Sequence, residues 1–146
     1  LALWTLDFPA LDEVNAHLFS GGARLAPGAN AAEDYAVAQI GLETGASLRL
    51  ACSWRLQAGC DAIIEAVFYG ERGGAALRNV GGSFYDFEAM RFDGVKRELL
   101  VGSDEGWNGR AAVEWARRLA RGDRFDEEAE RLVEVAAALD AIYGRG

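Results

Sequence analysis

Short apolar–polar runs separated by glycine-containing turns occupy the chain from Asp34 to Val101. Alternation with a period of two is typical of β-strands. Turns this short join antiparallel neighbours, because a parallel pair needs a crossover of a dozen or more residues. The predicted strands are Val14–Phe19, Tyr35–Leu42, Ser47–Arg55, Ala62–Tyr69, Ala75–Val80, Ser83–Phe92 and Lys96–Val101. These residues therefore predict a largely antiparallel sheet of six to seven strands.

After Val101 the apolar period changes to that of a helix. Asn108 is a suitable N-cap for a helix that ends near Arg121, and the acidic residues 126–128 suit the start of a second one. The apolar faces predicted for the two helices are Ala112, Trp115, Ala116, Leu119 and Ala120, and then Ala129, Leu132, Val133, Ala136, Leu139 and Tyr143. The order predicts an α+β fold, an open-faced sheet with two C-terminal helices packed on one face.

The predicted sheet carries apolar residues on both faces. In the strand Ala62–Tyr69, Ile64 and Phe68 share one face while Ile63 and Val67 share the other. A sheet with one face in water alternates cleanly between apolar and polar residues. Two helices of this length cover only one face of six or seven strands. The second face is therefore expected to meet another protein surface, either a second subunit or a further domain.

Composition limits the kind of protein this is. Fifteen Lys and Arg against 23 Asp and Glu give a net charge of −8, which argues against nucleic-acid binding. With 51% hydrophobic residues and no apolar run of membrane-spanning length, residues 1–146 are expected to form a single globular domain with no membrane partner. The spacing of Cys52 and Cys60 fits neither a CxxC redox motif nor a zinc site. Two thiols in such a domain predict a reducing, cytoplasmic location and no bound metal.

Polar and aromatic residues at two loop positions are candidate ligand contacts. Trp54, Arg55 and Gln57 follow the end of a predicted strand, where an aromatic ring, a guanidinium and an amide suit a hydroxylated ligand. The alternative is a packed tryptophan beside solvated neighbours. Trp107 and Asn108, just before the first long helix, are a similar but weaker pair of substrate-binding candidates. No catalytic residue is predicted.

Other chemical motifs favour structural interpretations. The glycine-rich segment 70–74 lies between two strands and opens no helix, so it is interpreted as a turn and not as a phosphate loop. His17 is the only histidine, and without a second one a catalytic or metal-binding role for it is disfavoured. Asp34, Glu65 and Asp86 lie on different strands, and ordinary surface or interface carboxylates are the favoured interpretation.

Four segments together resemble the C-terminal half of the Gfo/Idh/MocA oxidoreductases, the glucose–fructose oxidoreductase and inositol dehydrogenase-like family. They are LALW at 1–4, AEDYAVAQIGLETGASLRLACSW at 32–54, IIEAVFYGERGGAAL at 63–77 and WARRLARGDRFDEEAERLVEVAAALDAIY at 115–143. Each motif is degenerate, and their order and spacing carry the resemblance across nearly the whole chain. The chain opens inside an apolar, helix-like segment without a starting methionine, so it is expected to be part of a longer protein.

The resemblance implies a parent enzyme that transfers hydride between NAD or NADP and a sugar, inositol or related polyol. Its cofactor would bind an N-terminal Rossmann domain, which also carries the family's EKP lysine, while an Asp/His pair would precede LALW. None of these residues is present in this sequence, so the chain alone is expected to hold no cofactor and to be inactive. It would supply part of the substrate pocket and a homodimer or larger homo-oligomer interface through the exposed sheet face.

The alternative is a stand-alone α+β module that binds a small ligand between its sheet and helices. That hypothesis expects an enclosed pocket with aromatic walls. Its lining would be Trp54, Phe68, Phe84 and Trp115.

Overall fold

The computed structural model describes residues 1–103, 109–123 and 127–145. These residues form eight strands and four helices. The strands are β1 (Leu11–Ser20), β2 (Ala23–Arg24), β3 (Tyr35–Leu42), β4 (Ser47–Ser53), β5 (Glu65–Gly70), β6 (Gly73–Asn79), β7 (Phe87–Asp93) and β8 (Lys96–Val101). The helices are α1 (Ala2–Thr5), α2 (Arg110–Ala120), α3 (Glu127–Glu130) and α4 (Leu132–Tyr143). The predicted α+β class is confirmed.

The strands divide between two sheets of four, whereas the sequence predicted one sheet of six to seven. The first sheet has the order β2-β1-β3-β4 and the second β5-β6-β7-β8, with antiparallel neighbours throughout. The segment 54–64 between β4 and β5 contains no strand. A tight turn forces the next strand to pair with the previous one, whereas a connection of this length leaves it free to start a new sheet.

The chain accordingly forms two compact units. The first comprises Leu1–Leu56 and Asp126–Gly146, and the second comprises Gln57–Phe125. Each unit contains one of the two sheets. The expectation that residues 1–146 are a single domain stays a prediction.

The core of the first unit lies on one face of β3. Residues at every second position of this strand are buried, namely Ala36, Ala38, Ile40 and Leu42. Ile142 of α4 joins this buried cluster, and Leu3 and Leu6 from the α1 region pack against it. Burying a leucine or isoleucine side chain contributes roughly 1.5–3 kcal/mol, so Ile40, Leu42 and Ile142 stabilise the packing of α4 against the sheet.

The buried face of α4 differs from the predicted one. Ala138 and Ile142 are buried, whereas Leu132, Val133 and Leu139 are 63%, 70% and 48% exposed. Apolar residues occur on nearly every side of α4, so the helical periodicity of its sequence does not identify which side is buried. Contact with β1 and β3, and not the periodicity, selects the stripe that is buried.

Arg131, just before α4, fixes the turn that follows α1. Its guanidinium donates hydrogen bonds to the carbonyl oxygens of Asp7 (3.0 Å) and Phe8 (3.4 Å) and to the Asp7 carboxylate (2.9 Å). It also lies 4.5 Å from the centre of the Phe8 ring. Asp7 and Phe8 have φ values of 61° and 49°, which are unfavourable for residues other than glycine. The guanidinium therefore stabilises a strained turn that positions α1 against the sheet.

Side chains decide where two strands of the second unit begin. The Asn79 side chain accepts a hydrogen bond from Ile64 N (2.9 Å) and donates to Ala62 O (2.9 Å), while its backbone N–H donates to Ile64 O (2.9 Å). Side-chain hydrogen bonds therefore replace part of the strand pairing before β5. Ser83 Oγ accepts from the backbone N–H groups of Tyr85 and Asp86, which forms a turn before β7. Both predicted strands are therefore shorter at their start than alternation alone suggested.

The predicted tight turns are present in this unit. Gly70 pairs with Gly73 across the β5–β6 turn, and Asp93 pairs with Lys96 across the β7–β8 turn. Gly94 has a φ of 56°, which glycine adopts without the strain that a Cβ would add. The segment 70–74 is thus a turn between strands, as the sequence predicted.

The second sheet carries a row of apolar side chains on each face. Strand register aligns one row across all four strands, namely Val67, Ala76, Met90 and Leu99. The neighbouring row, on the opposite face of β5, β6 and β7, is Ala66, Leu77 and Ala89, and Val101 of β8 pairs with Ala89 across a register shift between Ala89 and Met90. Among the described residues of this unit only Ala62 and Ala76 are buried, and Leu99 and Val101 remain 60% and 59% exposed. The two-sided apolar character predicted from the sequence is present here.

Helix α2 belongs to the second unit and has no buried residue. Its predicted apolar face is exposed, with Trp115 at 65% and Leu119 at 44%. The predicted N-cap, Asn108, lies outside the described residues, and Gly109 occupies the N-cap position. None of the helices in the described segments has the length and apolar character that crossing a membrane requires.

Candidate functional site

Asp34, just before β3, connects the ends of β1 and β4. Its carboxylate accepts hydrogen bonds from Gly21 N (2.8 Å) and from the Arg55 guanidinium (3.4 Å). Its backbone carbonyl accepts a hydrogen bond from Ser53 Oγ (2.8 Å), and its N–H donates to Phe19 O (2.8 Å). The Asp34 side chain is only 13% exposed, so this carboxylate is committed to holding the backbone around it.

Trp54 and Arg55 lie beside this anchor, directly after β4. The Trp54 indole N–H donates to the Glu33 carbonyl (2.8 Å), yet the side chain is 72% exposed. The Arg55 guanidinium lies 5.6 Å from the centre of the Trp54 ring, within the range of a cation–π contact. The structure thus brings these two predicted site residues together on an accessible surface. That they contact a substrate stays a prediction.

The Glu33 side chain points toward the C-terminal end of α4. Its Oε1 accepts a hydrogen bond of 2.6 Å from the Tyr143 hydroxyl. This hydrogen bond, assisted by the positive charge of Arg145, lowers the pKa of Glu33 below its ordinary value of 4.5. The same hydrogen bond raises the pKa of Tyr143 above 10.0, with smaller contributions from burial and from the Glu33 charge. At neutral pH Glu33 is therefore an anion and Tyr143 a neutral donor.

Arg145 completes this group of side chains. Its guanidinium carbon lies 4.8 Å from the centre of the Tyr143 ring. The C-cap residue Gly144 has a φ of 66°, and the Arg145 N–H donates to Asp140 O (2.8 Å). The left-handed glycine reverses the backbone at the end of α4, and the Arg145 side chain lies over the aromatic ring as a result.

A cleft of about 520 Å³ opens beside these residues, between the segment 29–33 and α4. Its lining is Ala29, Asn30, Ala31, Ala32, Glu33, Ala136, Leu139, Asp140, Tyr143 and Arg145. Small-molecule sites typically measure about 300–1,000 Å³ and combine apolar walls with a few polar groups. The cleft lies within this size range, but it is open to solvent and about as polar as it is apolar, and it lies wholly within the first unit.

The structure does not bring every predicted site residue to this cleft. Gln57 is exposed and opens the second unit. Trp107 and Asn108 lie outside the described residues. The four aromatic residues expected by the ligand-module hypothesis, Trp54, Phe68, Phe84 and Trp115, are not among the residues that line the cleft.

Glu65 and His17, two further candidates from the sequence, lie outside the cleft. Glu65 pairs with Arg78 at 3.2 Å across β5 and β6, as expected of a surface carboxylate. His17 lies on β1 opposite Val37, and its buried Nδ1 has no hydrogen-bond partner among the described residues. Within those same residues, no group of three or more His, Cys, Asp or Glu side chains is arranged to hold a metal ion.

Sequence reasoning missed Glu33, Asp140 and Arg145 as site residues and assigned Tyr143 to a buried helix face. Tyr143 is half-buried, and its hydroxyl is used by Glu33, 110 positions earlier. The available signal was a tyrosine and an arginine on either side of a glycine that ends a helix. This pattern does not indicate that Glu33 is the hydrogen-bond partner of the tyrosine.

No protein-family model matches the sequence, and no curated protein matches it significantly.

Proposed function

We propose that this chain is the C-terminal substrate and oligomerisation domain of an NAD(P)-dependent oxidoreductase that acts on a sugar, inositol or related polyol. The observation that carries the proposal is the second sheet, which has an apolar row on each face. The resemblance of the sequence to the Gfo/Idh/MocA oxidoreductases supports the reaction class.

The energetics of the second sheet support a role in contact with other protein surfaces. Leu99 and Val101 pair with Met90 and Ala89, which belong to the two different rows, and are each more than half exposed. Covering an apolar side chain of this size contributes roughly 1.5–3 kcal/mol. A sheet that is apolar above and below gains this stabilisation only when both faces are covered. In the proposed parent, another domain and a second copy of this chain are the covering surfaces.

The described residues do not fit the cofactor that the proposal implies. A dinucleotide pyrophosphate binds where a glycine-rich turn opens a helix, since the helix N-terminus supplies N–H donors and a positive dipole. The glycine-rich segment 70–74 joins β5 to β6 instead. NAD or NADP is therefore assigned to the Rossmann domain of the parent, and this chain contributes substrate contacts, with Trp54 and Arg55 as the exposed pair.

The first test is titration of the isolated chain with NADH, followed by nucleotide fluorescence. The expected result is no saturable change, because the described turns lack the phosphate-binding geometry. Tight NADH binding by residues 1–146 would contradict the proposal. The second test is the reading frame upstream of Leu1, which is expected to encode a strand–GxGxxG–helix, an EKP motif and an Asp/His pair. A frame without these features would remove the oxidoreductase assignment.

A second candidate function is a stand-alone ligand-binding module that uses the cleft beside Glu33 and Tyr143, although this cleft lacks the four aromatic residues that the sequence predicted for the pocket. The two candidates differ in whether a Rossmann domain is encoded upstream. Ligand binding by the isolated chain without that domain would support the module.

A further inference from the structure

The cleft in the first unit contains a positive charge placed on an aromatic ring. The Arg145 guanidinium carbon lies 4.8 Å from the centre of the Tyr143 ring, inside the limit of about 6 Å for an attractive cation–π contact. Both residues line the cleft. The ring is held in place from the other end, because its hydroxyl donates to Glu33 Oε1 at 2.6 Å.

The charges around this ring favour a cation. Glu33 and Asp140 place two carboxylates in the lining, against the single guanidinium of Arg145. The positive charge of Arg145 contributes to the lowered pKa of Glu33. The side chains surrounding Arg145 thus have the composition of a cation site, an aromatic face with carboxylates at its edge.

We propose that this cleft binds a small hydroxylated amine, whose ammonium group takes the place of the Arg145 guanidinium on the Tyr143 ring beside Glu33 and Asp140. An anion is disfavoured, because two of the three charged groups in the lining are negative. The cleft has a volume of about 520 Å³ and is open to solvent, so a small molecule can enter it. Asn30 and Asp140 also line the cleft, and an amide and a carboxylate are groups that can hydrogen-bond ligand hydroxyls.

This inference goes beyond the proposed oxidoreductase role and does not depend on it. It uses residues of the first unit alone, whereas the oxidoreductase proposal is carried by the second sheet. Failure of amine binding would leave the NADH and reading-frame tests unaffected, and failure of those tests would leave the cleft unaffected.

The test is isothermal titration calorimetry of the chain with three related sugars at a pH where amines are protonated. The probes are glucosamine, N-acetylglucosamine and glucose, which share a ring and differ in the charged group. We expect glucosamine to bind about tenfold more tightly than the two neutral sugars, and to bind more weakly as salt is added. Equal affinity for all three probes would overturn the proposal.

Variants separate a ligand site from a structural cluster. Glu33→Gln keeps an acceptor for the Tyr143 hydroxyl but loses the charge, and Asp140→Asn removes the second charge. Each is expected to weaken glucosamine binding about fivefold or more. Arg145→Ala is expected to strengthen it severalfold, because the competing cation is removed. Weaker binding by Arg145→Ala would overturn the proposed exchange of the two cations.

Glu43→Gln is the matched control. Glu43 is an exposed carboxylate in the turn between β3 and β4 and does not line the cleft. This variant is expected to bind glucosamine as the unaltered chain does. Thermal unfolding of every variant shows whether a change in binding reflects loss of fold.

Discussion

Neighbouring acidic residues have different roles in this protein. The Asp34 carboxylate accepts hydrogen bonds from Gly21 N and Arg55 and is nearly buried, so its charge is used to hold loops together. The Glu33 carboxylate is directed to the cleft, where it binds the Tyr143 hydroxyl. Each role follows from what the fold places opposite the side chain, since the two carboxylates are chemically alike.

The Glu33–Tyr143 hydrogen bond predicts a pH dependence of stability. The pKa of Glu33 is lowered in the folded state, so its stabilising effect is fully present above the ordinary value of 4.5 and is lost as pH falls through the folded pKa. The pKa of Tyr143 is raised, so its contribution is present below 10.0 and is lost as pH rises through the folded pKa. Between these limits the pair contributes a constant stabilisation.

Urea unfolding of the unaltered chain and of Glu33→Gln at a series of pH values measures this effect. The difference in free energy of unfolding is expected to be constant near neutral pH and to shrink below 4.5. Glu43→Gln, in an exposed turn, is the matched control that removes a carboxylate away from Tyr143. A Glu33→Gln difference that persists unchanged into strong acid would show that the lowered pKa is not linked to folding.

At the scale of secondary-structure elements, α4 has apolar residues on two sides, and only one side packs into the core. Ala138 and Ile142 pack into the first unit, while Leu132 and Val133 face solvent. Ala136 and Leu139 contribute to the cleft wall. An amphipathic helix would have revealed its buried side in the sequence, whereas this one required the sheet to define it.

Substitutions on the two stripes are predicted to differ in cost. Ile142→Ala is expected to lower the free energy of unfolding by about 2–4 kcal/mol, because it empties a buried position in the core. Val133→Ala, at a position 70% exposed, is expected to cost less than about 0.5 kcal/mol. Denaturant unfolding followed by circular dichroism measures both. Equal costs would mean that the stripe assigned as buried is wrong.

Gly74 in β6 is predicted to be intolerant of a side chain. A Cβ at this position would lie 2.5 Å from Phe68 O and 3.1 Å from Phe92 Cδ2. Gly74→Ala is therefore expected to cost about 1–3 kcal/mol, since a backbone oxygen cannot move without disturbing the β5–β6 pairing. Gly109→Ala is the control, because a Cβ there would meet nothing within 4 Å among the described residues and its φ of −110° suits alanine. Thermal unfolding that ranks the two alike would contradict the packing described for β6.

At the scale of the whole molecule, the two units differ in how completely they are covered. In the first unit, α1 and α4 cover one face of the sheet, and a buried cluster results. In the second, the described residues bury only Ala62 and Ala76. In the two apolar rows Ala66, Val67, Leu77, Ala89 and Met90 are half-buried, while Leu99 and Val101 are exposed. Apolar surface left uncovered in this way is typical of faces that meet another protein.

Self-association of the isolated chain is the corresponding prediction. Light scattering over a concentration series is expected to show a shift from monomer to dimer. Leu99→Lys is expected to weaken the dimer at least about tenfold, because a lysine ammonium is costly to bury in an apolar row. Leu132→Lys, at a similarly exposed leucine of the first unit, is expected to dimerise normally. A strictly monomeric chain at high concentration would contradict the oligomerisation role.

The sequence by itself determined the local structure of this protein. Alternation predicted β3 and β8 to the residue, and the glycine-containing turns predicted the antiparallel pairing on either side of them. These features follow from backbone dihedral preferences and from hydrogen bonds between residues close together in the chain. The apolar rows on both faces of the second sheet were foreseen for the same reason, because side-chain direction alternates along β5, β6 and β7.

The tertiary structure alone decided how these parts combine. It divided the strands into two sheets at the segment 54–64, selected the buried stripe of α4 and brought Glu33 to Tyr143. Each outcome depends on contacts between residues distant in sequence, and many such pairings satisfy the same local preferences. The candidate site therefore could not be predicted from the sequence, because its side chains come together only when α4 packs against the first sheet.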